Sequence, residues 1–205
     1  GLPYDRGYAQ NMAAFIADLA KRPGYSIKRV VTASSNYEAG QQITRFLTER
    51  LKAAGFEVVG DVPLDTKATD LTPALLRIRG LKPDVVVGLQ TQKELLGLYR
   101  ARFDLQYFDP VFVSNLGLAD PSIWKDLGDT IATRTLFDAS YGLALYAPTL
   151  KAGSGSGLPR EIAADLGAKG GLGHSPIAAM QGILVLKEAA EGSALRDPAR
   201  IREAL

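Results

Sequence analysis

The amino-acid sequence predicts an α/β fold, in which a doubly wound parallel five-stranded sheet carries helices on both faces and a C-terminal helical extension follows. One observation is the alternation of short β-branched runs with longer amphipathic stretches. The other is spacing: predicted strands begin at residues 27, 56, 84, 111 and 134, at intervals of 29, 28, 27 and 23 residues, close to the length of a βαβ unit. This rhythm is typical of parallel sheets covered on both faces.

Each element has its own sequence signal. Residues 5–21 carry apolar side chains at helical spacing and end at a Pro-Gly turn. The strand from residue 27 leads into a second amphipathic helix, which Gly55 ends in the left-handed region. Asp70 or Thr72 is predicted to cap the third helix. The remaining predicted elements are strands at 56–60, 84–88, 111–114 and 134–139, and helices at 69–80, from 92 and after 120.

Two helix starts carry a stronger signal. Ser35 followed by Glu38, and Thr91 followed by Glu94, each match a capping box, in which two side chains satisfy free backbone N–H groups reciprocally. Right-handed crossovers place both of these turns at the same edge of a parallel sheet. Ligands bind beyond that edge, outside the carboxyl ends of the strands.

The βα rhythm stops after residue 142. We therefore predict an α/β lobe at 1–142 and a second part at 143–205 that extends beyond the sheet. The second part contains a Gly-Ser run at 152–157, which is equally consistent with a natural loop and an inserted linker. A helix is predicted at 175–189.

Composition excludes several classes of protein. A net charge of +2, from 24 basic and 22 acidic side chains, gives little field to attract a polyanion, so nucleic acid is not an expected partner. Without cysteine there is no disulfide, thiolate metal site or cysteine nucleophile. No apolar run approaches the ~18 residues of a membrane span, so membrane insertion is not expected, and no signal-peptide pattern opens the chain.

Motifs for catalysis or cofactor binding are not found in the sequence. It has no glycine-rich dinucleotide motif, no phosphate-binding loop and no nucleophile elbow. The single histidine, His174, has no partner at the spacing of a metal site or a catalytic triad. We therefore predict a protein that is not an enzyme and that needs no cofactor or metal.

The candidate ligand-binding residues follow the predicted strands. Asn36 and Tyr37 lie in the turn after the first strand, and a large aromatic such as Tyr37 is not needed to cap a helix. Its alternative role is to seal the edge of the core. Gln90 follows the third strand and Asn115 the fourth, and both side-chain amides can donate and accept hydrogen bonds.

A family resemblance runs through most of the chain in order. The stretches that carry it are Lys28-Arg-Val-Val, Asn36-Tyr-Glu-Ala-Gly-Gln, Leu51-Lys-Ala-Ala-Gly-Phe-Glu-Val-Val, Lys82-Pro-Asp-Val-Val-Val, Val113-Ser-Asn-Leu-Gly-Leu-Ala-Asp-Pro and Ile177-Ala-Ala-Met-Gln-Gly-Ile-Leu. Together they resemble the type 1 periplasmic binding proteins, above all the branched-chain amino acid receptors of ABC importers. Many weak matches carry the likeness, and no single diagnostic motif does.

The resemblance implies a Venus-flytrap protein, in which two α/β lobes close on a ligand. This chain corresponds mainly to the second lobe and to the segment at 143–205 that crosses back after it. The first lobe is then missing, and the chain is a fragment or an engineered single lobe. Tyr37 would lie over the ligand, and Thr91 would join Gln90 at the cleft.

Asn115 departs from the family pattern, because amino-acid-binding members tend to carry an acidic group there for the ammonium of the ligand. A carboxylic, amide or aromatic solute is then at least as suitable as an amino acid.

By the same resemblance the parent protein is periplasmic and works with an ABC permease. The isolated lobe would bind its small-molecule ligand weakly, and its exposed inter-lobe face predicts self-association. Two rivals stay open: a small flavodoxin-like enzyme or regulatory domain that uses the same strand-end cleft, and a lobe that was cut out as a purely structural unit.

Overall fold

Five strands form one parallel sheet in a computed structural model, which describes residues 3–114, 118, 122–137 and 140–142. The strands are β1 (Arg29–Thr32), β2 (Glu57–Asp61), β3 (Val85–Gly88), β4 (Val111–Ser114) and β5 (Ser140–Gly142). Their order in the sheet is β2-β1-β3-β4-β5, and all neighbouring pairs are parallel. The predicted five-stranded parallel sheet is confirmed.

Helices precede and connect the strands. They are α1 (Pro3–Leu19), α2 (Glu38–Ala53), α3 (Thr72–Gly80), α4 (Gln92–Asp104), α5 (Ser122–Leu127) and α6 (Asp129–Ala132), and a π-helical turn follows at Thr133–Phe137. Gly55 follows α2 with φ of +89°, in the left-handed region that the sequence predicted.

Two apolar clusters cover the two faces of the sheet, because alternate side chains of each strand point to opposite sides. Val30 faces the cluster built with α1 and α2, and Val31 faces the cluster built with α3, α4 and α5. The first cluster includes Ala9, Met12, Ile16, Leu19, Leu47, Leu51, Val85, Val87 and Val113. The second includes Leu64, Leu75, Ile78, Val86, Leu95, Leu98, Tyr99 and Phe112. Helices on both faces are thereby confirmed.

The fifth strand lies later in the chain than predicted. Residues 134–139 were expected to be extended, but Thr133–Phe137 continue from α6 as a π-helical turn, and the strand is Ser140–Gly142. The Thr135 hydroxyl donates to the carbonyl of Ile131 at 2.6 Å, and the Thr135 carbonyl accepts from the Ser140 hydroxyl at 2.6 Å. These local hydrogen bonds favour a helical turn over an extended strand.

Neither Asp70 nor Thr72 is the N-cap residue of α3, which is Leu71. Asp70 nevertheless accepts a hydrogen bond from the backbone N–H of Thr72 at 2.8 Å. Hydrogen bonds from Thr72 hold the pKa of the Asp70 carboxyl below its usual value. The predicted interaction is therefore present, although the helix begins one residue later than an Asp70 cap requires.

The chain divides into two compact units, Gly1–Leu143 and Ala144–Leu205. The second unit lies outside the described residues. So do the predicted Gly-Ser run at 152–157, His174 and the helix predicted at 175–189. The role of 143–205 as a crossing segment with a helical extension stays a prediction.

Candidate functional site

The strand order reverses between β1 and β3. The chain leaves β1 toward β2 on one side, then returns to β3 on the other side and continues to β4. In open α/β sheets, the crevice at such a reversal is where ligands bind. The turns that follow β1 and β3 flank this crevice, and main-chain hydrogen bonds join them. The Ala33 N–H donates to the Val87 carbonyl at 2.9 Å, and the Ser35 N–H donates to the Leu89 carbonyl at 2.8 Å.

The turn after β1 holds Asn36 and Tyr37 at the surface. Tyr37 is 38% exposed, one of two large hydrophobic side chains exposed in the described part of the chain. The Asn36 N–H donates to the Leu64 carbonyl at 2.7 Å, and its side-chain oxygen accepts from Gln41 at 2.9 Å. Both candidate residues therefore lie at the predicted edge, on a turn that the backbone fixes.

The capping box predicted for α2 is wrong. The N-cap residue is Tyr37, and its side chain makes no capping hydrogen bond. Ser35 is buried two residues earlier and donates its hydroxyl to the carboxylate of Glu94, which lies in α4. Local spacing suggested a bond to the first turn of α2, but the parallel neighbour β3 brings a stronger acceptor to Ser35.

The capping box predicted for α4 is confirmed. Thr91 is the N-cap residue, and its backbone N–H and hydroxyl donate to Glu94 Oε2 at 2.8 and 2.9 Å. The Thr91 side chain is exposed at the crevice. The two helices at the reversal thus begin differently: side chains satisfy the start of α4, whereas no side-chain hydrogen bond caps α2.

Gln90 lies deeper than its candidate role suggested. Its side chain is 2% exposed, and its amide nitrogen donates to the carbonyl of Ala33. Its side-chain oxygen is buried and has no partner among the described residues. Gln90 therefore holds the turn after β1 from below and keeps one acceptor free under the crevice.

Asn115 lies outside the described residues, so its position at the crevice stays a prediction. The residue before it, Ser114, is 1% exposed and ends β4. The Ser114 hydroxyl has no hydrogen-bond partner in the described ranges.

Sequence reasoning did not predict that Glu94 and Ser114 would both be buried at this edge, each with an oxygen that has no partner among the described residues. Glu94 was interpreted only as a capping residue, yet its second carboxylate oxygen is buried and has no partner in the part of the chain that is described. Ser114 was predicted to end the fourth strand and to form a polar turn with Asn115 at the ligand edge. The signal in each case was a polar residue at an apolar position, which is informative because buried polar groups are normally paired.

The described ranges contain neither a cluster of metal-binding side chains nor a membrane-spanning helix. There, no group of three or more His, Cys, Asp or Glu side chains is placed to hold a metal ion. No helix among the described residues is long and apolar enough to span a bilayer.

A family model described as "Periplasmic binding protein" matches residues 2–205. No curated protein sequence matches significantly. Among solved structures, the leucine binding protein LivK of Thermotoga maritima superposes with a TM-score of 0.74 and 17% identity, over 96% of this chain and 53% of that protein.

Two further structures have the same fold. A solute-binding protein of an ABC transporter from R. palustris, in complex with 4-hydroxybenzoate, has a TM-score of 0.68 and 22% identity, over 96% of this chain and 52% of that one. The leucine-, isoleucine-, valine-, threonine- and alanine-binding protein of Brucella ovis has a TM-score of 0.71 and 18% identity, over 95% of this chain and 48% of that protein. This chain spans about half the length of these proteins.

Proposed function

Because the chain belongs to the periplasmic binding protein family and has its type 1 fold, we propose that it forms one wall of a cleft for a small organic solute. The solute is an amino acid or a carboxylic or aromatic acid, and the chain binds it without catalysis. In the whole protein a second α/β lobe forms the other wall, and the closed protein delivers the solute to an ABC permease from the periplasm. The length supports this, since the chain covers about half of the proteins it resembles.

One observation supports this function above the others. The exposed ring of Tyr37 stands on a fixed turn, beside the point where the strand order reverses. Small-molecule sites combine apolar or aromatic walls with a few placed polar groups, and they favour such reversals. Asn36 precedes Tyr37 in the same turn and Thr91 follows β3 in the neighbouring turn, and we propose that these two residues, with Asn115 and the unpaired oxygen of Gln90, supply the polar groups of the wall.

The start of α2 favours a carboxylate on the solute. A helix N-terminus presents free N–H groups and a partial positive charge, and no side-chain hydrogen bond caps α2. The amide at Asn115 supplies no charge partner for an ammonium group. Among the similar proteins, one is a leucine binding protein and another is a complex with 4-hydroxybenzoate, so both kinds of solute belong in the test.

Ligand-detected NMR with matched solute pairs tests the proposal. We expect weak binding of 4-hydroxybenzoate, and weaker binding of 4-hydroxybenzamide, which lacks the carboxylate. Leucine and 4-methylpentanoate differ by the ammonium group, and we expect them to bind about equally. Binding should be weak because one wall supplies only part of the contacts.

Two variants locate the site. Tyr37→Ala should reduce binding, whereas Leu76→Ala on α3, the other exposed large hydrophobic in the described ranges, should not. Equal loss in both variants, or micromolar affinity of this chain alone, would contradict the one-wall proposal.

A further inference from the structure

Glu94 lies where α4 begins, and it makes more hydrogen bonds than a capping residue needs. It is 2% exposed, and its Oε2 accepts from the backbone N–H of Thr91 at 2.8 Å and from the Thr91 hydroxyl at 2.9 Å. The bond from the Thr91 N–H, together with the bond from the Glu94 N–H to the Thr91 side chain, completes the capping box at the start of the helix. Any further hydrogen bond to the same oxygen serves another purpose.

The third hydrogen bond joins Glu94 to the turn after β1. Ser35, 1% exposed, donates its hydroxyl to the same Oε2 across 59 residues of sequence. The Ser35 N–H also donates to the carbonyl of Leu89 at 2.8 Å, just after β3. One buried carboxylate oxygen therefore connects the two turns that flank the crevice, and hydrogen bonds to a charged acceptor are the strong ones.

Ser35 in turn places Tyr37. The Tyr37 N–H donates to the Ser35 carbonyl at 2.8 Å, and the Tyr37 carbonyl accepts from Gln41 at 3.0 Å as α2 begins. A Cβ atom at Gly40 would lie 2.1 Å from the Ser35 carbonyl oxygen, so the first turn of α2 packs directly against Ser35. Moving Ser35 must therefore move the N-cap residue and its ring.

We propose that Glu94 is a positioning residue for the solute-binding turn: through Ser35 it fixes the backbone of Tyr37 and thereby the ring at the crevice. The proposal rests on the proposed function for its consequence in binding, while the link itself can be measured without any solute. Glu94 acts through Ser35 and does not need to touch the solute.

Amide hydrogen exchange tests the link. Ser35→Ala removes the connecting bond and leaves the Thr91–Glu94 box intact, so the Tyr37 and Gln41 amides should exchange at least about threefold faster, as for the loss of one hydrogen bond. Glu94→Met should have the same effect, and Glu94→Gln, which keeps an acceptor oxygen, a smaller one.

The matched control is Asp84→Asn at the opposite edge of the sheet. There a carboxylate also connects backbone segments, accepting from the Lys28 and Arg29 N–H groups at 2.8 Å each. This variant should leave the Tyr37 amide unchanged. Unchanged exchange at Tyr37 in Ser35→Ala would overturn the proposal; if that variant fails to fold, the same comparison between Glu94→Gln and the wild type decides.

Binding of 4-hydroxybenzoate separates positioning from general loss of stability. Ser35→Ala should weaken binding in the wild type but not further in a Tyr37→Ala background, because its effect acts through that ring. Additive losses would overturn the proposal. Absence of binding to the wild type would instead contradict the proposed function, and the exchange result would still decide the role of Glu94.

Discussion

Arg102 is a buried cation held by neutral oxygens. Its side chain is fully buried, and its guanidinium donates to the carbonyls of Tyr107, Thr135 and Pro110 at 3.2 to 3.4 Å and to the Ser140 hydroxyl at 3.2 Å. The guanidinium also lies over the Phe112 ring, with its central carbon 3.9 Å from the ring centroid. Burial lowers the pKa of Arg102 to about 10. One planar group thus joins α4 to the segments that lead into β4 and β5.

Arg102→Lys should destabilise the protein by about 2–4 kcal/mol, because one ammonium cannot reach three separated carbonyls and leaves buried acceptors unpaired. Urea denaturation of both proteins measures this difference. The matched control is Arg77→Lys on the exposed side of α3, which should change stability by no more than about 0.5 kcal/mol. Equal stabilities of Arg102→Lys and wild type would show that the carbonyl contacts contribute nothing.

Tyr99 makes the stability of the folded protein fall at alkaline pH. It is fully buried, and burial raises the pKa of its phenol, which the nearby Arg102 cation partly opposes. The folded state then holds the phenol proton more tightly than the unfolded chain does. The stability that this difference contributes is fully present below about pH 10, which is the pKa of tyrosine in the unfolded chain. It is lost as the pH rises through the pKa of Tyr99 in the folded state.

Tyr99→Phe should therefore lose less stability than the wild type above about pH 10, while near pH 7 the two should differ by no more than about 1 kcal/mol. The measurement is the free energy of unfolding in urea across this range, with tyrosinate absorbance recorded in parallel. Parallel pH profiles of the two proteins would refute this role of Tyr99.

At the scale of elements, helix α2 shows tertiary packing overriding helix propensity. Gly40 lies buried in its first turn, where a Cβ would meet the Ser35 carbonyl oxygen at 2.1 Å. Glycine costs a helix about 1 kcal/mol relative to alanine, so propensity alone favours alanine here. The contact with Ser35 requires the smaller residue, because the obstructing atom belongs to the backbone.

Gly40→Ala should destabilise the protein by about 1–3 kcal/mol through overpacking. Gly7→Ala is the matched control, since Gly7 lies in α1 with nothing within 4 Å of its added Cβ; it should stabilise by up to about 1 kcal/mol. Thermal and urea melts of the two variants measure both signs. Stabilisation by both substitutions would mean that the turn yields to the added methyl group.

The sequence predicted those elements whose signal is local and strong. Val85, Val86 and Val87 form an apolar run because β3 is buried on both faces, and the Thr91–Glu94 box is complete within four residues. The partner of Ser35 could not be predicted, because Glu94 reaches it only once β3 lies beside β1. The late start of β5 could not be predicted either, because the helical turn at Thr133–Phe137 depends on hydrogen bonds of the Thr135 hydroxyl and carbonyl that residue type and spacing do not specify.

At the scale of the whole molecule, the sequence predicted at which edge of the sheet the candidate site lies, but not which hydrogen bonds its residues make. Parallel topology places the turns with Asn36 and Thr91 at one edge from sequence alone. Which polar atoms remain free there depends on burial: Gln90 was expected at the cleft, yet its amide is used beneath the turn and only its oxygen stays unpaired. Spacing along a chain does not encode how deep a side chain lies.

Both faces of the sheet are covered by residues of the first compact unit, Gly1–Leu143. The described members of the two apolar clusters all lie between Ala9 and Tyr141. A chain of residues 1–143 should therefore fold by itself and unfold cooperatively in urea, with a free energy of about 5 kcal/mol or more. Far-UV and near-UV circular dichroism through the transition measure this, and the 205-residue chain is the reference. A shallow transition without near-UV signal would mean that residues beyond 143 are needed for a packed core. The predicted division at 142 would then mark the end of the βα pattern and not the end of an independently stable unit.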